Sequence, residues 1–318
     1  MGVTNLESGN YARPRTGIAK RMVQVLVNWE LYIFLLPAAL YFLAFQYAPI
    51  YGVQIAFRDY TAAGGIAGSP WAGLVHFRRF FASPSFVRIV WNTIGISLYE
   101  LVAQFPAPIL LALLINEIRL AKFKRVVQTV SYAPHFISTV VMVGMIILFL
   151  NPQYGVVNTF IALFGIEPVH FMASDRWFKT IYVFSGVWQS TGWSSIIYLA
   201  ALAGVSPDLH HAAMIDGASR MQRIRHINIP SILPIISILF ILNAGRVMSV
   251  GFEKVFLMQN PLNLSSSEII ATYVYKMGIL AHQVSFSAAV GLFNSVVNLA
   301  LILLVNRVVK RLTETGLI

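Results

Sequence analysis

Six apolar runs, separated by polar connections, organise the chain: 31–50, 90–115, 131–150, 180–205, 232–252 and 285–305. A helix rising about 1.5 Å per residue needs about 20 residues to cross some 30 Å of hydrocarbon. The runs meet that length, so the pattern predicts an all-α polytopic membrane protein with six transmembrane helices. One membrane domain is expected over 31–309, between an N-terminal segment, 1–30, and a tail, 310–318. Composition agrees: 57% of the 318 residues are hydrophobic and 11% charged, against about 25% charged in a soluble domain.

Charge then fixes a direction. With the N-terminus in the cytoplasm, four basic residues of the tail (Arg13, Arg15, Lys20, Arg21), four in 119–125, three in 220–225, and Arg307, Lys310 and Arg311 share one side. Eight fall on the other, and Arg246 lies inside a run. Basic excess marks cytoplasmic loops, so both termini are expected there, in a bacterial inner membrane. The net charge of +11 is thereby a topological signal, because the basic residues cluster at run ends and line no surface for nucleic acid. The first run is too long for a signal peptide's apolar region and lacks a small-residue cleavage site, so it is expected to be retained.

Several runs carry polar faces that are expected to turn from lipid. Glu100 and Gln104 lie one turn apart, ahead of Pro106 and Pro108, which remove backbone donors and predict a kink. The fourth run is interrupted by Trp188, Gln189, Ser190, Thr191, Gly192, Trp193, Ser194 and Ser195, while Ser287, Gly291, Asn294 and Asn298 share one face of the sixth.

The loop 206–230 holds the most informative motif. Ser206 suits a helix N-cap, Pro207 the first helical position and Asp208 the positive end of the dipole, with Gly217 placed to close the helix in a left-handed conformation. A short helix outside the membrane between two spans is suited to passing force from a soluble motor to a bundle. His211, Ala212, Ala213, Met214, Asp216, Gly217 and Ala218, followed by Ile227 and Pro230, resemble the coupling-loop signature of binding-protein-dependent ABC importers. His211 stands where that family usually has Glu, and Ile229 where it has Leu. Further stretches, among them 51–60, 68–74, 123–136 and 249–253, resemble the branch that imports complex polysaccharide fragments, including bacterial alginate importers.

That resemblance implies a type I importer permease fold, like that of maltose importers, in a heterodimer with a second homologous permease. It also implies two ATPase subunits and a periplasmic solute-binding protein. ATP and Mg would sit on the ATPases, with no cofactor on this chain, and it is expected to be no enzyme. The sequence agrees with that division. It has no G-x-x-x-x-G-K-[ST] phosphate loop, no cysteine, and no histidines at metal-ligand spacing.

Candidate substrate-pathway residues are Trp188, Gln189, Trp193, Asn243, Arg246, Glu253, Asn294 and Asn298. Polar groups at membrane depth usually face a cavity or a partner helix. Arg246 can hold a sugar carboxylate bidentately, the asparagines can hold hydroxyls, and the tryptophans can stack on pyranose faces. The alternatives are an Arg246–Glu253 pair, hydrogen bonds between helices and ordinary aromatic packing. Lys254 and Lys276 are either receivers of an anionic ligand or solvated charges. The function expected is import of oligosaccharides, acidic ones of the alginate type. Neutral complex glycans and proton-coupled transport through Glu100 stay open.

Overall fold

The computed structural model describes residues 29–245 and 248–313, the side chains of 311–313 excepted. Arg246, the basic N-terminal tail and the last five residues thus lie outside the described residues. Two compact units divide the chain, 1–54 and 55–318. The described part of the first begins with α1 (Trp29–Phe42), apolar on every side as a lipid-facing helix is, and continues through a π turn, Leu43–Tyr47.

Apart from two isolated β-bridges, the regular elements among the second unit's described residues are all helices, joined by turns and loops. The unit opens with a folded loop. There the Arg58 guanidinium donates to the carbonyls of Ala67 and Ser69, and His76 meets Asp59 at 3.0 Å. Helix α2 (Val75–Phe81) follows, then α3 (Phe86–Gln104) and α4 (Pro106–Asn116), which meet at Phe105. Pro106 and Pro108 cannot donate to the preceding turn and interrupt the hydrogen-bond ladder there, but Phe105 keeps helical angles and the two helices form one apolar span, Phe86–Asn116.

The third run departs from the expectation of one helix over 131–150. Its apolar residues are divided between α5 (Ala121–Tyr132), a 3-10 turn (Ala133–Phe136) and α6 (Thr139–Phe149), and the two limbs meet at 98°. Pro134 limits the first limb, Ile137 and Ser138 are extended, and the Ser138 hydroxyl caps α6 by accepting from the Val141 amide at 3.4 Å. After α7 (Val156–Ala162) comes α8 (Asp175–Ala203), unbroken through the polar interruption. Its hydroxyls explain this. Ser185, Ser190 and Thr191 each donate to a carbonyl four residues back, and Ser195 to one three back.

Helix α9 (Pro207–Ile215) leads by way of α10 (Arg220–Arg223) and a π turn, Ile224–Asn228, into α11 (Ile229–Ala244). The fifth run was expected to continue as one helix to 252. It ends at Ala244, and the chain resumes as α12 (Phe252–Met258), α13 (Ile270–Tyr275) and the long α14 (Val284–Thr313). Gly245 sits where α11 presses on α14: a Cβ there would lie 2.7 Å from the Ile302 side chain.

By length and apolar composition, four helices among the described residues suit a membrane: Trp29–Phe57, Phe86–Asn116, Arg220–Ala244 and Val284–Lys310. Counting the bent pair as one makes five. Helix α8 is long enough at 29 residues, but its polar middle keeps it out of that set. It is nevertheless the centre of the unit, packed against α3, α4, α5 and α11. Phe178, Tyr182 and Val183 join Ile96 of α3 and Val255 and Met258 of α12 in one core cluster, while Tyr198 and Leu202 join Ala112, Leu113 and Ile232 in another.

Candidate functional site

Two features of the second unit are built for contact with something else: an exposed helix at one end and a polar cavity within the bundle. The exposed helix is α9, and no residue of it is buried. Ser206 caps it, accepting from the Asp208 amide at 3.3 Å. Gly217 closes it at φ +78°, with the Ala218 amide donating to the Ala213 carbonyl at 2.8 Å and the Gly217 amide to that of Met214 at 3.1 Å. Such a closure satisfies carbonyls that would otherwise end unpaired. Ser219 and Gln222 then form a capping box for the next helix. With its ends satisfied internally, α9 presents His211, Ala212, Met214 and Asp216 outward, while Ala213 and Ala218 are half-buried. Leu209 and Ile215 are exposed apolar side chains on the same helix, Ile215 to 86%.

The cavity measures about 610 Å³. Its wall comes from α3 and α4 (Ser97, Glu100, Gln104, Phe105, Pro108), from α8 (Trp193, Ser194, Ile197, Tyr198), from α11 (Leu239, Asn243), and from Ser249. Glu100, Gln104 and the serines give it the hydrogen-bonding groups that a hydroxyl-rich ligand requires, among apolar and aromatic surface.

The structure brings only part of the expected pathway together. Trp193 and Asn243 line the cavity. Asn298 stands one step behind it, donating to the Ser249 hydroxyl at 2.9 Å and accepting from the Met248 amide at 3.0 Å. It thereby fixes the stretch after Gly245. Asn294 keeps its buried side-chain oxygen without a described partner. Gln189 donates to the Ile137 carbonyl at 2.8 Å, pinning the bend between α5 and α6. Trp193 shares that task, since one face of its ring lies parallel to His135 at 4.6 Å.

Trp188 points elsewhere. It lines a second, mostly apolar groove with Val126, Val127 and Val130, so the two tryptophans do not face one site. Glu253 is exposed in the first turn of α12, on a different helix from Asn243. Its expected place two turns beyond Arg246 on a single helix therefore does not hold, and Arg246 itself lies outside the described residues.

Three charged groups carry more structure than their sequence context suggested. Lys254 reaches from α12 to α8, donating to the Tyr182 carbonyl at 2.6 Å and resting 4.4 Å from the centre of that residue's ring. Lys179, in the first turns of α8, comes up to Gly95 of α3. Glu268 is 6% exposed and held by Arg88 at 2.8 Å and Lys276 at 3.4 Å. Lys276, weighed above as a receiver of an anionic ligand or a solvated charge, is thus one of two partly exposed cations on a buried carboxylate. The sequence signals were a lysine following the Gly-Phe-Glu stretch and a lone acid closing a run of serines, neither of which specifies a contact.

An exposed, self-closed helix between two cavity-lining helices, in a bundle of apolar spans, is the layout of a membrane permease subunit. Residues 104–314 match the family described as the binding-protein-dependent transport system inner membrane component, and this chain belongs to it. It is therefore a non-catalytic permease subunit of the ABC importer class, with the type I fold, in the inner membrane. Among its relatives, it is 43% identical over 299 residues to the polygalacturonan/rhamnogalacturonan transport system permease protein YteP of Bacillus subtilis, covering 94% of this chain and 93% of that one. Over 287 residues it is also 43% identical to the protein LplB of the same organism, covering 90% of each. A solved bacterial ABC transporter involved in the import of the acidic polysaccharide alginate contains a chain 38% identical to it. That chain superposes with a TM-score of 0.86, covering 92% of this chain and 99% of its own length.

Proposed function

We propose that this chain is one of two permease subunits of an ATP-driven importer carrying acidic oligosaccharides from periplasm to cytoplasm by alternating access. The observation that carries the reading is connectivity: α9 joins α8 directly to the α10–α11 segment, and both α8 and α11 line the polar cavity. A motor seated on α9 would bias the two arrangements of such a bundle. The motor would be a pair of ATPase subunits holding ATP and Mg. A second homologous permease would complete the pathway, a periplasmic binding protein would deliver the sugar, and both termini would lie in the cytoplasm.

For the cargo, support comes from similarity to the polygalacturonan/rhamnogalacturonan permease and to the alginate importer, a structure of which includes an alginate pentasaccharide-bound periplasmic protein. The test is purification from native membranes followed by ATPase assay with the binding protein and alginate or galacturonate oligosaccharides. Co-purified ATPase stimulated by the acidic sugars is the expected result. An intact, active transporter without an ATPase would overturn the motor, and stimulation by neutral arabino-oligosaccharides alone would overturn the cargo.

In the same assay, Gly217→Val is expected to uncouple. A β-branched residue at φ +78° costs on the order of 1–2 kcal/mol, comparable to the whole closure of the helix. ATPase stimulation by loaded binding protein should therefore fall several-fold while subunit assembly persists. Unchanged stimulation would remove α9 from the coupling role.

A further inference from the structure

Where α3, α8 and α12 converge, Gly186 leaves a space that a side chain would occupy. A Cβ built there would lie 3.3 Å from the Lys254 Nζ and 4.0 Å from both the Gln104 Oε1 and the Glu100 Oε1. A cation from α12 and a carboxylate and an amide oxygen from α3 thus gather around a glycine of α8, beside the cavity, to whose wall Glu100 and Gln104 belong and Lys254 and Gly186 do not. Gln104 is anchored from behind, donating to the Ser190 hydroxyl, which in turn donates to the Gly186 carbonyl at 2.7 Å.

Lys254 and Glu100 nevertheless do not close on each other. Among the described residues no ion pair within 4.0 Å joins them. The ammonium group spends one of its three protons on the Tyr182 carbonyl, with the electron-rich ring of that residue beneath it. Lys179 adds a second positive charge along the same α3–α8 seam, one turn before Tyr182 and close to Gly95. Lys254 is thus a cation with unspent hydrogen-bonding capacity at a seam that adjoins a cavity of about 610 Å³.

We infer that Lys254 is a binding subsite for a carboxylate of the transported saccharide, and that Glu100 is the internal competitor that limits how tightly the carboxylate is held. The inference rests on the acidic-oligosaccharide reading and deepens it. A lone cation at membrane depth would trap a polyanion; an opposing carboxylate a few ångströms away lowers the gain on binding and lets the cargo leave. The gap between the two charges and the proton-bearing capacity left on Lys254 are what an incoming carboxylate uses. Glycine at 186 keeps the space open, and Tyr182 fixes the lysine against it.

The experiment is uptake by the whole transporter in proteoliposomes, with its binding protein, of a galacturonate trisaccharide and of its carboxyl-reduced neutral counterpart. The parent should prefer the acidic sugar. Lys254→Met should cut acidic uptake about ten- to a hundred-fold, the range for losing a charge-assisted hydrogen bond, and leave the reduced sugar's uptake near the parent's. Lys254→Arg should restore most of the preference. If Lys254→Met fails to assemble, Glu100→Gln carries the test. Its half-saturation for the acidic sugar should fall several-fold relative to that for the reduced sugar, with a slower maximal rate. A parent that imports the acidic sugar, with variants keeping its acidic-to-neutral ratio and half-saturation, overturns the subsite alone. A parent that imports only the neutral sugar overturns the acidic cargo and the subsite together.

Discussion

Gly192→Ala is expected to destabilise the folded subunit severely. A Cβ at this position would lie 1.9 Å from the carbonyl oxygen of Ser131 and 2.9 Å from the backbone nitrogen of Tyr132. The obstacle is the last turn of α5, and backbone yields less readily than a side-chain tip. Helix α8 would have to move by more than an ångström, taking with it the Gln189 and Trp193 contacts at the bend. Overpacking commonly costs about 1–3 kcal/mol and more where backbone must shift, so we expect at least the upper end of that range. The measurement is thermal unfolding of the purified complex in detergent. Gly144→Ala in α6 is the control, since a Cβ there meets nothing within 4 Å and alanine favours a helix by about 1 kcal/mol. Equal melting of the Gly192 variant and the parent would contradict the packing of α8 on α5.

Asn263→Leu is expected to unfasten the segment between α12 and α13. Asn263 is fully buried. Its amide donates to the carbonyls of Met172 and Met258 at 2.9 and 3.1 Å, and its oxygen accepts from the Asn260 amide at 3.0 Å and the Ser267 hydroxyl at 2.9 Å. Leucine matches the volume but takes this partner from the Met258 carbonyl, the Asn260 backbone amide and the Ser267 hydroxyl, while the Met172 carbonyl keeps the Asn260 side-chain amide at 2.7 Å. Each such group costs about 1–3 kcal/mol, and relaxation will recover some of it, so a loss of about 3–5 kcal/mol is expected. Limited proteolysis should detect new cleavage within 258–268, and unaltered resistance would count against the assignment. Glu268 ends this segment, so the Arg88 and Lys276 pairs should loosen with it.

Local rules carried some of these features and not others. The cap, first turn and closure of α9 follow from Ser206, Pro207, Asp208 and Gly217, because each acts on its own backbone within a few residues. The break at Phe105 follows equally from Pro106 and Pro108. Apolar length, by contrast, does not count hydrogen bonds. It joined 131–150 across a bend that Pro134 and the extended Ile137 impose, and it carried the fifth run past Gly245. The polar middle of α8 resembled a binding site in sequence because hydroxyls and an amide at membrane depth need partners. In the fold those partners are carbonyls of α8 itself and of Ile137. Lys254 and Glu100 lie more than 150 positions apart, and only the packing of α3, α8 and α12 brings them to one glycine. The family assignment, in turn, came from a loop whose residues contact little within the chain.

The position of α9 between α8 and α11 has a mechanical consequence. One end follows α8 directly and the other leads through α10 and the π turn into α11, and these two helices form separate parts of the cavity wall, with Trp193 and Tyr198 on one and Leu239 and Asn243 on the other. A displacement applied to α9 is therefore divided between two jaws, in the manner of a hand on the pivot of a pair of tongs. In the proposed coupling role, tilt of this one nine-residue helix would load both walls together.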